Sequence, residues 1–194
     1  MTIDASTVRV RAAERLADLA DATRRTAEEC GDAIAIAATM VRDTLAAGGT
    51  LYFCGNGGSA ADAQHIATEY VVRYRKQRRA LAAVALTTDT SLLTAAGNDL
   101  GFTEVFARQV EALVTPKDLL VIHSTSGNSP NVVRAANAAR AKGAPVLALT
   151  AGDGGALRGL ATHAIVVPVD RTDRAQELHL CIQHIICELV EDDV

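Results

Sequence analysis

The chain has 194 residues, 49% of them hydrophobic and 22% charged, with a net charge of −4; this is a globular composition able to bury a core, and it excludes a disordered chain. With no Trp, three Phe, three Tyr and no basic excess, nothing marks a nucleic-acid surface. No apolar run is long enough to cross a membrane, the start Met1-Thr2-Ile3-Asp4 lacks a secretory pattern, and Cys30, Cys54, Cys181 and Cys187 lack CxxC spacing; the expectation is a cytoplasmic protein with reduced thiols.

Two helical patterns come first. One runs from about Ser6 to Glu29, with Val8, Val10, Leu16, Leu19 and Ala20 among charges; the second runs from about Asp32 to Ala47 and is stopped by Gly48-Gly49. Short apolar runs follow at Leu51–Cys54, Ala82–Leu86, Leu119–His123, Val146–Leu149 and Ala164–Val167, each the length of a fully buried strand. Helix-sized segments such as Ser129–Lys142 separate most of them, and a helix from about Asp173 to Glu191 closes the chain. The alternation predicts one three-layer α/β/α domain over 1–194, with an N-terminal helical extension (1–48) and an α/β core (49–194) around a five-stranded parallel sheet.

In such sheets ligands bind beyond the carboxyl ends of the strands. Four loops there are small, polar and glycine-containing. The first, Gly55-Asn56-Gly57-Gly58-Ser59, opens an Ala-rich helix on which His65 and Glu69 stand four residues apart, on one face. The second, Thr87–Ser91, is followed one short helix later by Gly97-Asn98-Asp99. The third is Ser124-Thr125-Ser126-Gly127-Asn128-Ser129, and the fourth is Thr150–Gly155.

The third loop is the sharpest binding signal. Ser124, Thr125, Ser126 and Ser129 offer hydroxyls, Gly127 lets the backbone turn closely, and the next helix supplies free N–H groups. It has no lysine and is not a GxxxxGK[ST] loop, so it suits a sugar monophosphate better than a nucleoside triphosphate; an ordinary helix cap on Ser126 or Ser129 is the alternative. His65 and Glu69 read either as a polar helix face or as proton-transfer or metal-binding groups, although HExxH is absent. Gln176, His179 and His184 lie on the last helix, Gln176 and His184 roughly 12 Å apart along its axis, and His184 also fits a structural role. The basic run Arg73-Tyr74-Arg75-Lys76-Gln77-Arg78-Arg79 reads as a solvated helix end, or as a contact to an anionic partner.

Together GNGGSAADAQHIATE, ALTTDTSLLTAAGNDLGF, STSGNSPNVVRAA and RAQELHLCIQH resemble the sugar isomerase (SIS) domain family, and within it the phosphoheptose isomerases, over nearly the whole chain. The resemblance implies a flavodoxin-like sheet and a homotetramer with active sites at subunit interfaces. It implies that Ser124, Thr125, Ser126 and Ser129 bind the phosphate, while Asn56, Gly57, Gly58, Asn98 and Asp99 line the sugar site. Glu69 and His184 are then the acid–base pair, and His65, Glu69, Gln176 and His184 are similar to the family's ligands for one zinc per subunit, with Glu69 and Gln176 also contacting substrate. The implied reaction is aldose–ketose isomerisation of sedoheptulose 7-phosphate through an enediol. A non-catalytic SIS-type adaptor and an isomerase of five- or six-carbon sugar phosphates stay open beside it. Two departures stand out: Lys76–Ala80 lacks the proline that commonly follows the arginine in relatives, and His123 replaces a small or apolar residue.

Overall fold

The computed structural model describes residues 4–191 and 193. Residues 1–3, where no secretory pattern was expected, lie outside the described residues. The two expected N-terminal helices are one: α1 runs unbroken over Ala5–Ala46. Asp4 caps it by accepting from the Thr7 N–H, and Gly48, at φ +72°, follows its end. Gly31 lies between the two expected ranges, inside the continuous helix. A helical glycine costs about 1 kcal/mol, and the flanking stripe Ala22, Thr26, Cys30, Ile34, Ala37, Val41 and Leu45, all buried, outweighs that.

Five strands follow: β1 (Leu51–Gly55), β2 (Ala83–Ala85), β3 (Leu119–His123), β4 (Val146–Ala151) and β5 (His163–Val167). They form one parallel sheet in the order β2-β1-β3-β4-β5, as the alternation of strands and helices predicted. β1, β3 and β4 are buried along their whole length, which is why they read as continuous apolar runs.

The pleat divides the core. Leu51, Phe53, Leu119, Val121, Leu147, Leu149, Ile165 and Val167 face α1, α2 (Gly58–Val71) and α7 (Thr172–Glu191). Tyr52, Cys54, Leu120, Ile122, Val146 and Ala148 face α3 (Thr90–Asp99), α4 (Ala107–Leu113), α5 (Pro130–Ala141) and α6 (Gly155–Leu160). The chain leaves β1 toward β2 on one side, whereas β3 pairs on the other. The topological switch point therefore lies between β1 and β3, and the Gly55–Ser59 and Ser124–Ser129 loops meet above it. All four cysteines are free thiols, and no described helix is long and apolar enough to cross a membrane.

Candidate active site

The two loops enclose a cleft of about 220 Å³, lined by Asn56–Ser59, His123–Ser126, Ser129, Thr172 and Gln176. Its walls depend on missing side chains. A Cβ on Gly58 would stand 2.6 Å from the Gln176 amide oxygen, and one on Gly127, at φ +64°, would stand 2.0 Å from the Gly154 carbonyl oxygen. Gly127 is thus fixed both by its backbone angle and by its neighbour. Ser129 occupies the N-cap position of α5 with Pro130 next, yet its side chain makes no cap hydrogen bond. Ser129 thus brings its hydroxyl and the start of a twelve-residue helix to the cleft, beside the hydroxyls of Ser124, Thr125 and Ser126, and the lining carries no lysine, a set suited to an anion. Asn56 is locked by Asn131: each amide nitrogen donates to the other's oxygen, at 2.9 and 2.8 Å.

The reactive groups gather lower down, between α2 and α7. These helices run side by side in the same direction: Gln176 touches Gly58 at their starts, and His184 meets His65 further along. His65 Nε2 lies 3.2 Å from Glu69 Oε1 and 3.4 Å from His184 Nε2. One ligand atom from each of the three residues falls within 4.8 Å of the others. Burial holds the His184 imidazole below its ordinary pKa, as does neighbouring His65, while Glu69 opposes them. Asp62, one turn before His65, is pushed up to about 6 by burial, and its buried Oδ2 has no hydrogen-bond partner. Two imidazoles and a carboxylate at this spacing are a donor set suited to zinc.

The sequence-predicted residues thus fall into three places. Asn56, Gly57, Gly58, Ser124, Thr125, Ser126, Ser129 and Gln176 share the cleft. His65, Glu69 and His184 form the cluster, with His65 about 10 Å and Glu69 about 16 Å down α2 from Gly58 by helix rise. Asn98 and Asp99 stand apart at the end of α3, where the Asn98 amide donates to Asp99 Oδ1 at 2.7 Å and Asp99 borders a separate groove with Leu92, Leu100 and Arg108.

Sequence reasoning missed Thr172 and Asn131, and the partners of several residues that it did name. Thr172 lines the cleft, and Asn131 orients Asn56 from 75 residues away. His123 is fully buried beneath the cleft, where its Nε2 faces the Gln183 amide nitrogen at 2.9 Å. Buried His179 lies close by, its Nε2 3.1 Å from the Thr150 carbonyl oxygen. Burial drives the pKa of His123 down to about 3 and that of His179 to about 4. Tyr74 stacks on His184 with ring centroids 5.3 Å apart and planes 15° from parallel. The expected solvated basic run is only partly solvated, because Arg78 is buried against Glu191.

The chain is also similar to known proteins. The SIS domain family model matches residues 16–151. The chain is 53% identical over 181 residues to a phosphoheptose isomerase of Chlorobaculum parvum, covering 92% of this chain and 87% of that protein. It is 52% identical over 164 residues to one of Rhodospirillum rubrum, covering 84% and 87%. Among solved structures, the phosphoheptose isomerase of Neisseria gonorrhoeae superposes with a TM-score of 0.91 at 42% identity, over 96% of this chain and 100% of that one. The resemblance read from the four motifs is borne out, and the chain belongs to the SIS domain family as one of its phosphoheptose isomerases.

Proposed function

We infer that the chain interconverts sedoheptulose 7-phosphate and D-glycero-D-manno-heptose 7-phosphate. Among site features, the observation that carries this is the packing of Glu69, His65 and His184 on the same helix pair whose starts frame the anion cradle. Ser124, Thr125, Ser126 and Ser129 hold the phosphate, so the binding energy of the unreactive end orients the reactive one. The Glu69 carboxylate takes the proton from C1 of the open-chain ketose and returns it at C2. The His184 imidazole, whose charged form burial disfavours, moves a proton from O1 to O2 across the enediol. Asn56, fixed by Asn131, and Gln176 hydrogen-bond the sugar hydroxyls.

His65, Glu69 and His184 would hold a zinc ion, with Gln176 as a fourth ligand; when bound, the ion supplies Lewis-acid polarisation of the carbonyl. Within one chain Gln176 sits at the far end of the α2–α7 groove, and Asn98 and Asp99 face elsewhere. This separation supports a homotetramer whose subunits complete each other's sites, as do the exposed apolar Val8, Val10 and Leu16 on α1. The deciding experiment is a panel of five-, six- and seven-carbon ketose phosphates assayed before and after chelation, with oligomeric mass measured by light scattering. Turnover of the seven-carbon substrate far above the others is expected; absence of any turnover, with or without added zinc, would overturn the reading.

A further inference from the structure

We propose that Tyr74, held in place by a buried Arg78–Glu191 clasp, is a positioning residue for His184, and that the clasp itself fixes Glu69. This rests on the reading of Glu69 and His184 as the proton-transfer pair. Glu69 sits in the last turn of α2, which ends at Val71. Carbonyl groups in a last turn have no partner inside the helix, and such turns fray. Here Arg78 reaches back: its Nη2 donates to the Glu69 carbonyl at 2.7 Å and its Nη1 to the Tyr70 carbonyl at 2.8 Å. A cation at a helix C-terminus also complements the dipole.

The guanidinium is itself pinned. Its Nε donates to Glu191 at 3.1 Å, and both side chains are almost wholly buried, 5% and 3% exposed. Such a pair is costly unless its remaining hydrogen-bonding capacity is used. Glu191 uses it on three successive backbone amides, accepting from Tyr74, Arg75 and Lys76 at 2.7, 2.8 and 3.0 Å. Consecutive amides wrapped around a carboxylate form an anion nest, which leaves the segment little freedom. The nest starts at Tyr74, so the clasp that caps the Glu69 turn also lays the tyrosine ring flat on His184. The basic run, otherwise without a role in the reaction, thereby fixes both members of the pair.

The test compares Tyr74→Phe, Tyr74→Leu and Arg78→Lys in the full chain. Tyr74→Phe keeps the stacking ring and is expected to hold kcat and KM within about twofold. Tyr74→Leu and Arg78→Lys are expected to lower kcat about tenfold while KM stays within about twofold, with thermal unfolding of Tyr74→Leu near the parent. A purely structural clasp would not produce that split. Independently of activity, the His184 ring-proton resonance should move downfield in Tyr74→Leu and stay in place in Tyr74→Phe. Unchanged kcat in Tyr74→Leu, equal losses in Phe and Leu, or an unmoved His184 resonance would each overturn the proposal. Should the parent fail to isomerise any sugar phosphate, the functional reading falls, and the resonance alone decides whether Tyr74 stacks on His184.

Discussion

At Gly58 the absence of one carbon decides where Gln176 stands. A methyl group there would meet the far end of a flexible side chain rather than backbone. Gly58→Ala should therefore fold normally but expel the Gln176 amide from the cleft, raising KM for the sugar phosphate about tenfold with little change in melting temperature. Steady-state kinetics beside a thermal melt checks this. Glu69→Gln keeps the shape and removes the base: kcat should fall roughly 10²- to 10⁴-fold, while calorimetric binding of the sugar phosphate persists. Retained turnover would remove Glu69 from its role. The residues readable in the sequence are those whose partners are near in the chain, such as His65 with Glu69, or the hydroxyls of Ser124–Ser129. Asn131, Tyr74 and Glu191 were not readable, because what each does is set by a side chain or loop 75 to 117 residues away.

At the scale of elements, α1 shows where local reading stops. Gly31, between the charged stretch that ends at Glu29 and the apolar run after Asp32, looks like a helix end, and only the partners of Cys30 and Ile34 on the sheet-facing side reveal that it is not. An added Cβ at Gly31 meets nothing within 4 Å. Gly31→Ala should then stabilise the protein by about 0.5–1 kcal/mol, read as a higher urea midpoint at unchanged slope. The strands were legible because burial on both faces leaves long apolar runs. Their ends were less so: β1 and β4 continue into Gly55 and Thr150-Ala151, residues whose small or polar character reads as loop but whose backbone still pairs.

For the whole molecule, two imidazoles buried in neutral form make stability depend on acidity. His123 and His179 titrate near 3 and 4 when folded, below the ordinary 6.5. A depressed imidazole favours the unfolded state wherever that state binds the extra proton. Their contribution is therefore constant above pH 6.5 and is lost as pH falls from there toward 4, at up to about 1.4 kcal/mol per pH unit for each ring. Urea unfolding at pH 7, 6 and 5 should show a falling midpoint before most carboxylates titrate; a flat profile would contradict the neutral assignment.

The contact between α1 and α7 also bears on how the protein is made. The first helix in the chain is covered by the last: buried Arg174 of α7 donates to Asp18 at 2.8 Å and to the Arg15 carbonyl at 2.7 Å, and Ala22 through Leu45 share a core with Leu178, Ile182 and Ile186. During synthesis, then, the apolar stripe of α1 has only the sheet to cover it, and stays open on the side that faces α7 until residues 172–191 have followed. A nascent chain stalled before residue 172 should be cut readily by protease within residues 22–45, and the same stretch should become resistant once α7 is released. Translation thus carries a long, half-covered helix through most of its course, and residues 172–191 act as its closing stitch.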